Sequence, residues 1–166
     1  MSSSEAEADQ AKNVVFICTA NVCRSPMAEA IFDALAEERG LGWRAASAGV
    51  AALEGEDIIP KARAALEELG IYAESHRARQ VSEAMLEEAD LVLVMGPRHV
   101  RALRRSFGSL AERVYTLPQY ATGTATEEGI PDPYGHTMTA FRTSVRQLLS
   151  YIEKVVERLE QEETFR

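Results

Sequence analysis

Apolar positions along the chain switch between an unbroken pattern and a helical one, and the switches predict alternating strands and helices. Val14-Val15-Phe16-Ile17 is a continuous apolar run, as expected of a parallel strand buried on both faces. After a loop, Met27, Ala30, Ile31, Ala34 and Leu35 recur at helical spacing up to Gly40. Ser25 is suited to cap that helix and Pro26 to open it. A second strand is predicted from Trp43 to Ser47, ending at Ala48-Gly49. A helix from Pro60 to Leu69 would bury Ala62, Ala65, Leu66 and Leu69. Ser82 caps a short helix through Glu88, and Leu91-Val92-Leu93-Val94-Met95 is the clearest buried strand. Pro97 to Arg105 reads as a helix, Arg113 to Leu117 as a last short strand, and Gln119 to Gly135 as a long irregular loop. The closing helix carries Phe141, Val145, Leu148, Leu149, Ile152, Val156 and Leu159 on one face, with charged residues opposite.

This alternation predicts an α/β fold: a doubly wound, three-layer domain around a four-stranded parallel sheet. One domain is expected over residues 13–160. Residues 1–12 are polar and acidic and read as a disordered tail, and 161–166 as a C-terminal tail. Ligands of such sheets bind at the C-terminal ends of the strands, where strand order reverses. The loop after the first strand belongs there.

Composition narrows the functional classes. At 166 residues and 46% apolar content the chain suits one ordinary core. A net charge of -8 argues against nucleic acid as a partner. The first residues lack the basic start and apolar stretch of a secretory signal, and no apolar run approaches the length that spans a bilayer. A cytoplasmic protein without a membrane partner is expected, and a monomer. Two cysteines, Cys18 and Cys23, are too few for a disulfide scaffold. The three histidines, His76, His99 and His136, show no metal-binding spacing, so neither a metal nor a cofactor is expected.

The chemistry concentrates in Cys18-Thr19-Ala20-Asn21-Val22-Cys23-Arg24-Ser25, a C-x5-R-S string between a buried strand and a helix start. A loop of this length can curl so that its backbone N–H groups converge on a tetrahedral oxyanion above a helix N-terminus. The same donors, with Arg24, favour Cys18 as a nucleophilic thiolate. Arg24 has the planar fork that holds two phosphoryl oxygens, and the Ser25 hydroxyl can reach the sulfur. Thr19, Ala20, Asn21, Val22, Cys23 and Ser25 would form the phosphate-binding loop. A phosphate ester also needs a proton for its leaving oxygen. Asp132, between Pro131 and Pro133, is the candidate acid, although an Asp-Pro step by itself is also an ordinary turn.

These residues resemble the low-molecular-weight protein-tyrosine phosphatase family, in its bacterial form. CTANVCRSPMAE, the SAG after the second strand, His76-Arg77-Ala78-Arg79-Gln80 and Asp132-Pro133-Tyr134 stand in the family's order. The resemblance implies a phosphatase with Cys18 as nucleophile, Arg24 as phosphate clamp and Asp132 as acid and then base. It implies that Asn21 holds the loop in an unusual backbone conformation, supported by Ser25, Ser47 and His76. By the same analogy Cys23 would form a reversible disulfide with Cys18 under oxidant.

The family spans several substrates. Arsenate reduction would need further cysteines, and none follows Cys23. The protein-arginine phosphatase branch is resembled at SAGV, at ADLVLVM and at the single aromatic of Tyr134-Gly135. That branch carries threonine where this chain has Val22, which has the same shape without the hydroxyl. Val22 therefore favours phosphotyrosine, with Val22, Leu53 and Tyr134 as pocket walls and phosphoarginine as the alternative. A phosphorylated protein or peptide would be the partner and free phosphate the product. A non-catalytic phosphate-binding module is the remaining alternative. The run Arg98 to Arg105 reads as a solvated helix face or a patch attracting a phosphorylated partner, and His99 receives no role.

Overall fold

The computed structural model describes residues 11–73 and 75–164. In chain order the elements are β1 (Lys12–Cys18), α1 (Arg24–Glu38), β2 (Trp43–Gly49), α2 (Pro60–Glu67), α3 (Glu83–Glu88) and β3 (Leu91–Val94). They continue with α4 (Pro97–Phe107), a 3-10 turn (Gly108–Ala111), β4 (Val114–Thr116), α5 (Leu117–Thr122) and α6 (Met138–Thr164). The four strands form one parallel sheet in the order β2-β1-β3-β4. The chain moves to one side of β1 for β2 and to the other for β3, so strand order reverses at the C-terminal end of β1.

Side-chain alternation along the strands builds the three layers. Val14 and Phe16 of β1 and Leu91 and Leu93 of β3 pack under α1, α2 and α6, against Met27, Ile31, Phe141, Leu148 and Ile152. Val15, Ile17, Val92 and Val94 face the other way, onto Leu86 of α3 and Leu103 of α4. At about 1.5 Å per residue α6 runs on the order of 40 Å and covers most of one face. No described helix is long and apolar enough to cross a membrane.

Several boundaries differ from those expected. Residues 1–10 of the proposed front tail lie outside the description, but Lys12 already pairs with Trp43 in the sheet. At the other end α6 continues to Thr164, through most of the expected 161–166 tail, while 165–166 lie outside the description. Ser25 does not cap α1. The cap position is Cys23, without a side-chain bond, because the Ser25 hydroxyl turns to Cys18 and Asn21 instead. The helix from Pro60 ends at Glu67, leaving Leu69 47% exposed rather than buried. The 119–135 loop is shorter than expected, because Thr116 caps α5 by accepting from Gln119 N at 3.2 Å. Gly123, at φ 72°, ends that helix. The last helix starts at Met138, after a turn containing His136.

Candidate active site

The loop from Cys18 to Arg24 leaves β1 at the reversal point and delivers the chain into α1. Its tight path requires Gly49 alongside: a Cβ there would land on the Thr19 carbonyl oxygen. Val50 N donates to Cys18 O at 3.0 Å, Ala51 N to Thr19 O at 2.9 Å and Ile59 N to Val22 O at 2.9 Å. The segment after β2 therefore braces the loop from its carbonyl side. None of the N–H groups of Thr19, Ala20, Val22, Cys23, Arg24 and Ser25 has an acceptor among the described residues. A run of unpartnered donors leading into a helix N-terminus can serve an anion.

Asn21 sets the corner of the loop. It is wholly buried and has φ 60°, the only non-glycine residue with positive φ among those described. Every polar group on it is used. Its Nδ2 donates to Ser25 Oγ at 2.8 Å and Ser47 Oγ at 2.9 Å, and its Oδ1 accepts from Arg79 N at 3.0 Å. Its carbonyl oxygen accepts from His76 Nε2 at 2.7 Å. Burial lowers the His76 pKa, although the bond to Asn21 O opposes that shift. A neutral ring with its proton on Nε2 fits this contact.

The bracing converges on Cys18, whose Sγ lies 2.9 Å from Ser25 Oγ and 3.3 Å from Asn21 N. The Ala48 carbonyl is a longer alternative for the Ser25 proton, at 3.4 Å. With the hydroxyl aimed at sulfur, both groups can donate to a thiolate. Cys23 lies in the same loop and is buried like Cys18. Burial pushes its thiol up to about 12, with the charges of Asp132 and Cys18 adding and Arg24 opposing. It stays protonated at neutral pH.

Arg24 is buried and donates from Nη1 to Ile130 O at 2.9 Å. Its Nη2 lies 3.5 Å from Asp132 Oδ2. The 129–132 segment is held close to the end of β3, where Ile130 N donates to Met95 O at 2.7 Å. A Cβ on Gly129 would come within 2.9 Å of that same Met95 oxygen. Asp132 itself is half exposed, and its Oδ1 accepts from Tyr134 N at 3.1 Å. Cys18, Val22, Arg24, Asp132 and Tyr134 line a cleft of about 230 Å³, together with Thr19, Ala20 and Cys23. Leu53 is not among the lining residues and is 72% exposed. Its loop runs along the surface, so the wall expected of it falls to Val22 and Tyr134.

One contact was absent from the sequence reading. His99, only 6% exposed, places Nε2 3.0 Å from Thr19 Oγ1 and so ties α4 to the loop. Its Nδ1 is buried without a bonded partner. Burial, then the charges of Arg24 and Arg98, lower its pKa to about 4, so the ring is neutral. The available signal was helical phase: His99 and Leu103 share an inward face opposite the arginines of α4. Among the described residues no group of three or more His, Cys, Asp or Glu side chains is placed to hold a metal ion.

The chain is similar to known proteins over nearly its whole length. The profile of a family described as "Low molecular weight phosphotyrosine protein phosphatase" matches residues 13–164. A protein-arginine-phosphatase of Bacillus subtilis is 35% identical over 150 residues, covering 90% of this chain and 98% of that protein. A low molecular weight protein-tyrosine-phosphatase of Streptomyces coelicolor is 42% identical over 127 residues, 73% of this chain and 77% of the relative. Among solved structures, a YwlE arginine phosphatase with a phosphorylated active-site serine superposes with TM-score 0.87 at 32% identity. That match covers 93% of this chain and 99% of the other. The low molecular weight protein tyrosine phosphatase from T. tengcongensis gives TM-score 0.84 at 37% identity, covering 89% and 99%.

Proposed function

The chain belongs to the low molecular weight phosphotyrosine protein phosphatase family, and from that premise we propose that it hydrolyses phosphotyrosine in proteins or peptides through a phosphocysteine on Cys18. One observation carries this reading. The unpartnered N–H groups of the loop, Cys18 Sγ, Arg24 and a half-exposed carboxylate share one cleft. The donors suit three phosphoryl oxygens, the sulfur suits attack on phosphorus, and Asp132 suits proton transfer at the leaving group.

Two displacements follow. In the first, Cys18 Sγ attacks phosphorus, the P–O bond to the substrate breaks, and the departing oxygen takes its proton from Asp132. Arg24 and the loop N–H groups hold the equatorial oxygens as their charge spreads. In the second, water attacks the phosphocysteine and gives a proton to Asp132. The P–S bond breaks, and Cys18 leaves as a thiolate stabilised by Ser25 and Asn21 N. Inorganic phosphate is the product, and the protonation state of Asp132 is restored.

Val22 and Tyr134 supply the argument for an aryl substrate: an apolar side chain and an aromatic ring flank the cleft. The arginine branch carries a hydroxyl where Val22 stands. Phosphoarginine is the second reading, favoured by the similarity to protein-arginine-phosphatases across almost their full length. Side-by-side kcat/KM values for phosphotyrosine and phosphoarginine peptides test the choice. A preference for phosphotyrosine is expected, and a large preference for phosphoarginine would overturn it. A module that binds phosphate without turnover would release no nitrophenol from p-nitrophenyl phosphate in the presence of a chelator, where the proposed enzyme turns over.

A further inference from the structure

α4 carries Arg98, Arg101, Arg104 and Arg105 and no acidic residue, in a chain of net charge -8. Arg98, Arg101 and Arg105 fall at i, i+3 and i+7 along one stripe, with Arg104 beside it and the buried His99 and Leu103 facing inward. All four arginines are exposed. None lies within 4 Å of a carboxylate among the described residues. Arg104 and Arg105 have a local explanation, since cations in a last turn offset the helix dipole. Arg98 has none. It stands in the first turn, where the dipole disfavours a positive charge.

Position supplies the missing reason. Arg98 lines a cleft of about 490 Å³ that shares Thr19, Arg24 and Asp132 with the catalytic cleft, so the two adjoin. The rim of the site is thus cationic where α4 adjoins it. A peptide crossing it would be aligned by its own charges.

We infer that the α4 stripe is a docking surface for acidic residues that flank the phosphorylated residue of a protein substrate. The inference rests on the phosphatase reading above and adds a sequence context to it. From Arg98 to Arg105 the stripe spans about 10 Å, enough for roughly three residues of extended peptide. Such contacts are exposed and individually weak. They act through several pairs at once and through steering of the encounter.

The test uses three phosphopeptides around one phosphorylated residue: acidic on its N-terminal side, acidic on its C-terminal side, and glutamine on both. p-Nitrophenyl phosphate serves as a substrate without flanks. One acidic peptide is expected to show kcat/KM roughly three- to tenfold above the glutamine peptide, as a few exposed ion pairs supply. The gap should close in about 0.5 M salt. The triple substitution Arg98→Gln, Arg101→Gln and Arg105→Gln should remove it while leaving nitrophenol release unchanged. Equal kcat/KM for all three peptides, or a preference that survives the triple substitution, would overturn the docking surface. Failure to turn over p-nitrophenyl phosphate or any peptide would instead strike the phosphatase reading. Calorimetric binding of the same peptides would then decide the docking surface by the same comparison.

Discussion

Asn21 Nδ2 donates to Ser25 Oγ at 2.8 Å, and that single bond joins the left-handed corner of the loop to the hydroxyl beside Cys18 Sγ. Removing the amide by Asn21→Ala leaves the buried Ser25 and Ser47 and the partly buried Arg79 N each short of a partner. It also leaves alanine at a φ it adopts reluctantly. A stability loss of roughly 2–4 kcal/mol is expected. On the proposed mechanism kcat should fall by about 10- to 100-fold, as the sulfur and its donors lose alignment. Thermal melting and steady-state kinetics separate the two effects. A variant that melts early yet keeps full kcat in its folded range would show that Asn21 only supports the fold.

What could be read before the structure depended on how local each signal is. Cys18, Arg24 and Ser25 lie within one loop, so spacing alone sets them near each other, and the apolar runs on either side set the loop at the sheet end. Asp132 stands more than a hundred residues away. Its sequence neighbourhood, two prolines, gives direction but no address. The address comes from Gly129 packing against Met95 and Gly96 and from the bond between Arg24 and Ile130 O. His99 was missed because four arginines dominate its segment, although the helical phase of the same segment turns it inward. Leu53 failed as a wall for the opposite reason. An apolar residue in a loop has no period, so nothing in the sequence says which way it faces. α5 was hidden because its capping threonine sits at the end of a strand, where Thr116 reads as the last β residue.

Val22 carries the choice between the two substrate readings. Its carbonyl is already fixed by Ile59 N, so Val22→Thr should change the cleft chemistry without moving the loop. Threonine keeps the shape and adds one hydroxyl beside the phosphoryl group. The ratio of kcat/KM for phosphotyrosine over phosphoarginine peptides should move at least about tenfold toward phosphoarginine, the scale of one placed hydrogen bond. An unchanged ratio would remove Val22 as the discriminating residue.

His99 makes stability depend on pH in a definite direction. Its folded pKa of about 4 lies below the ordinary 6.5, so between those values the unfolded chain holds the extra proton. Stability from this group is complete above pH 6.5 and is lost as the pH falls toward 4, by roughly 3 kcal/mol. The carboxyls of Glu29 and Asp33 are shifted upward by desolvation and act in the opposite sense, so the comparison must be between variants. His99→Gln retains a polar group for Thr19 but does not titrate. Its melting temperature should drop less between pH 7 and 4.5 than that of the wild type. Parallel curves would mean that His99 takes up its proton without cost in the folded state.

Asp132 is the remaining group whose proposed role makes a distinctive prediction, because it acts once as acid and once as base. Asp132→Asn preserves the size of the side chain and leaves an oxygen able to accept from Tyr134 N, but it has no proton to give in the first step. The penalty should scale with how badly the leaving oxygen needs that proton. For phenyl phosphate, kcat/KM should fall by about 10²- to 10⁴-fold. For p-nitrophenyl phosphate, whose phenolate leaves readily, the fall should be much smaller. The second step suffers in both cases, because water then attacks phosphocysteine without a base. With the good leaving group, formation of the intermediate outpaces its hydrolysis, so rapid mixing should reveal a burst of nitrophenol approaching one equivalent per enzyme, followed by slow turnover. Equal losses for the two substrates with no burst would locate the proton transfer on another residue. The two measurements also test the geometry, since Arg24 Nη2 lies 3.5 Å from Asp132 Oδ2 and on the proposed mechanism serves the phosphoryl oxygens while the carboxylate serves the leaving group. If the asparagine variant kept both rates, the contact with Arg24 would be a structural tie rather than part of the catalytic pair.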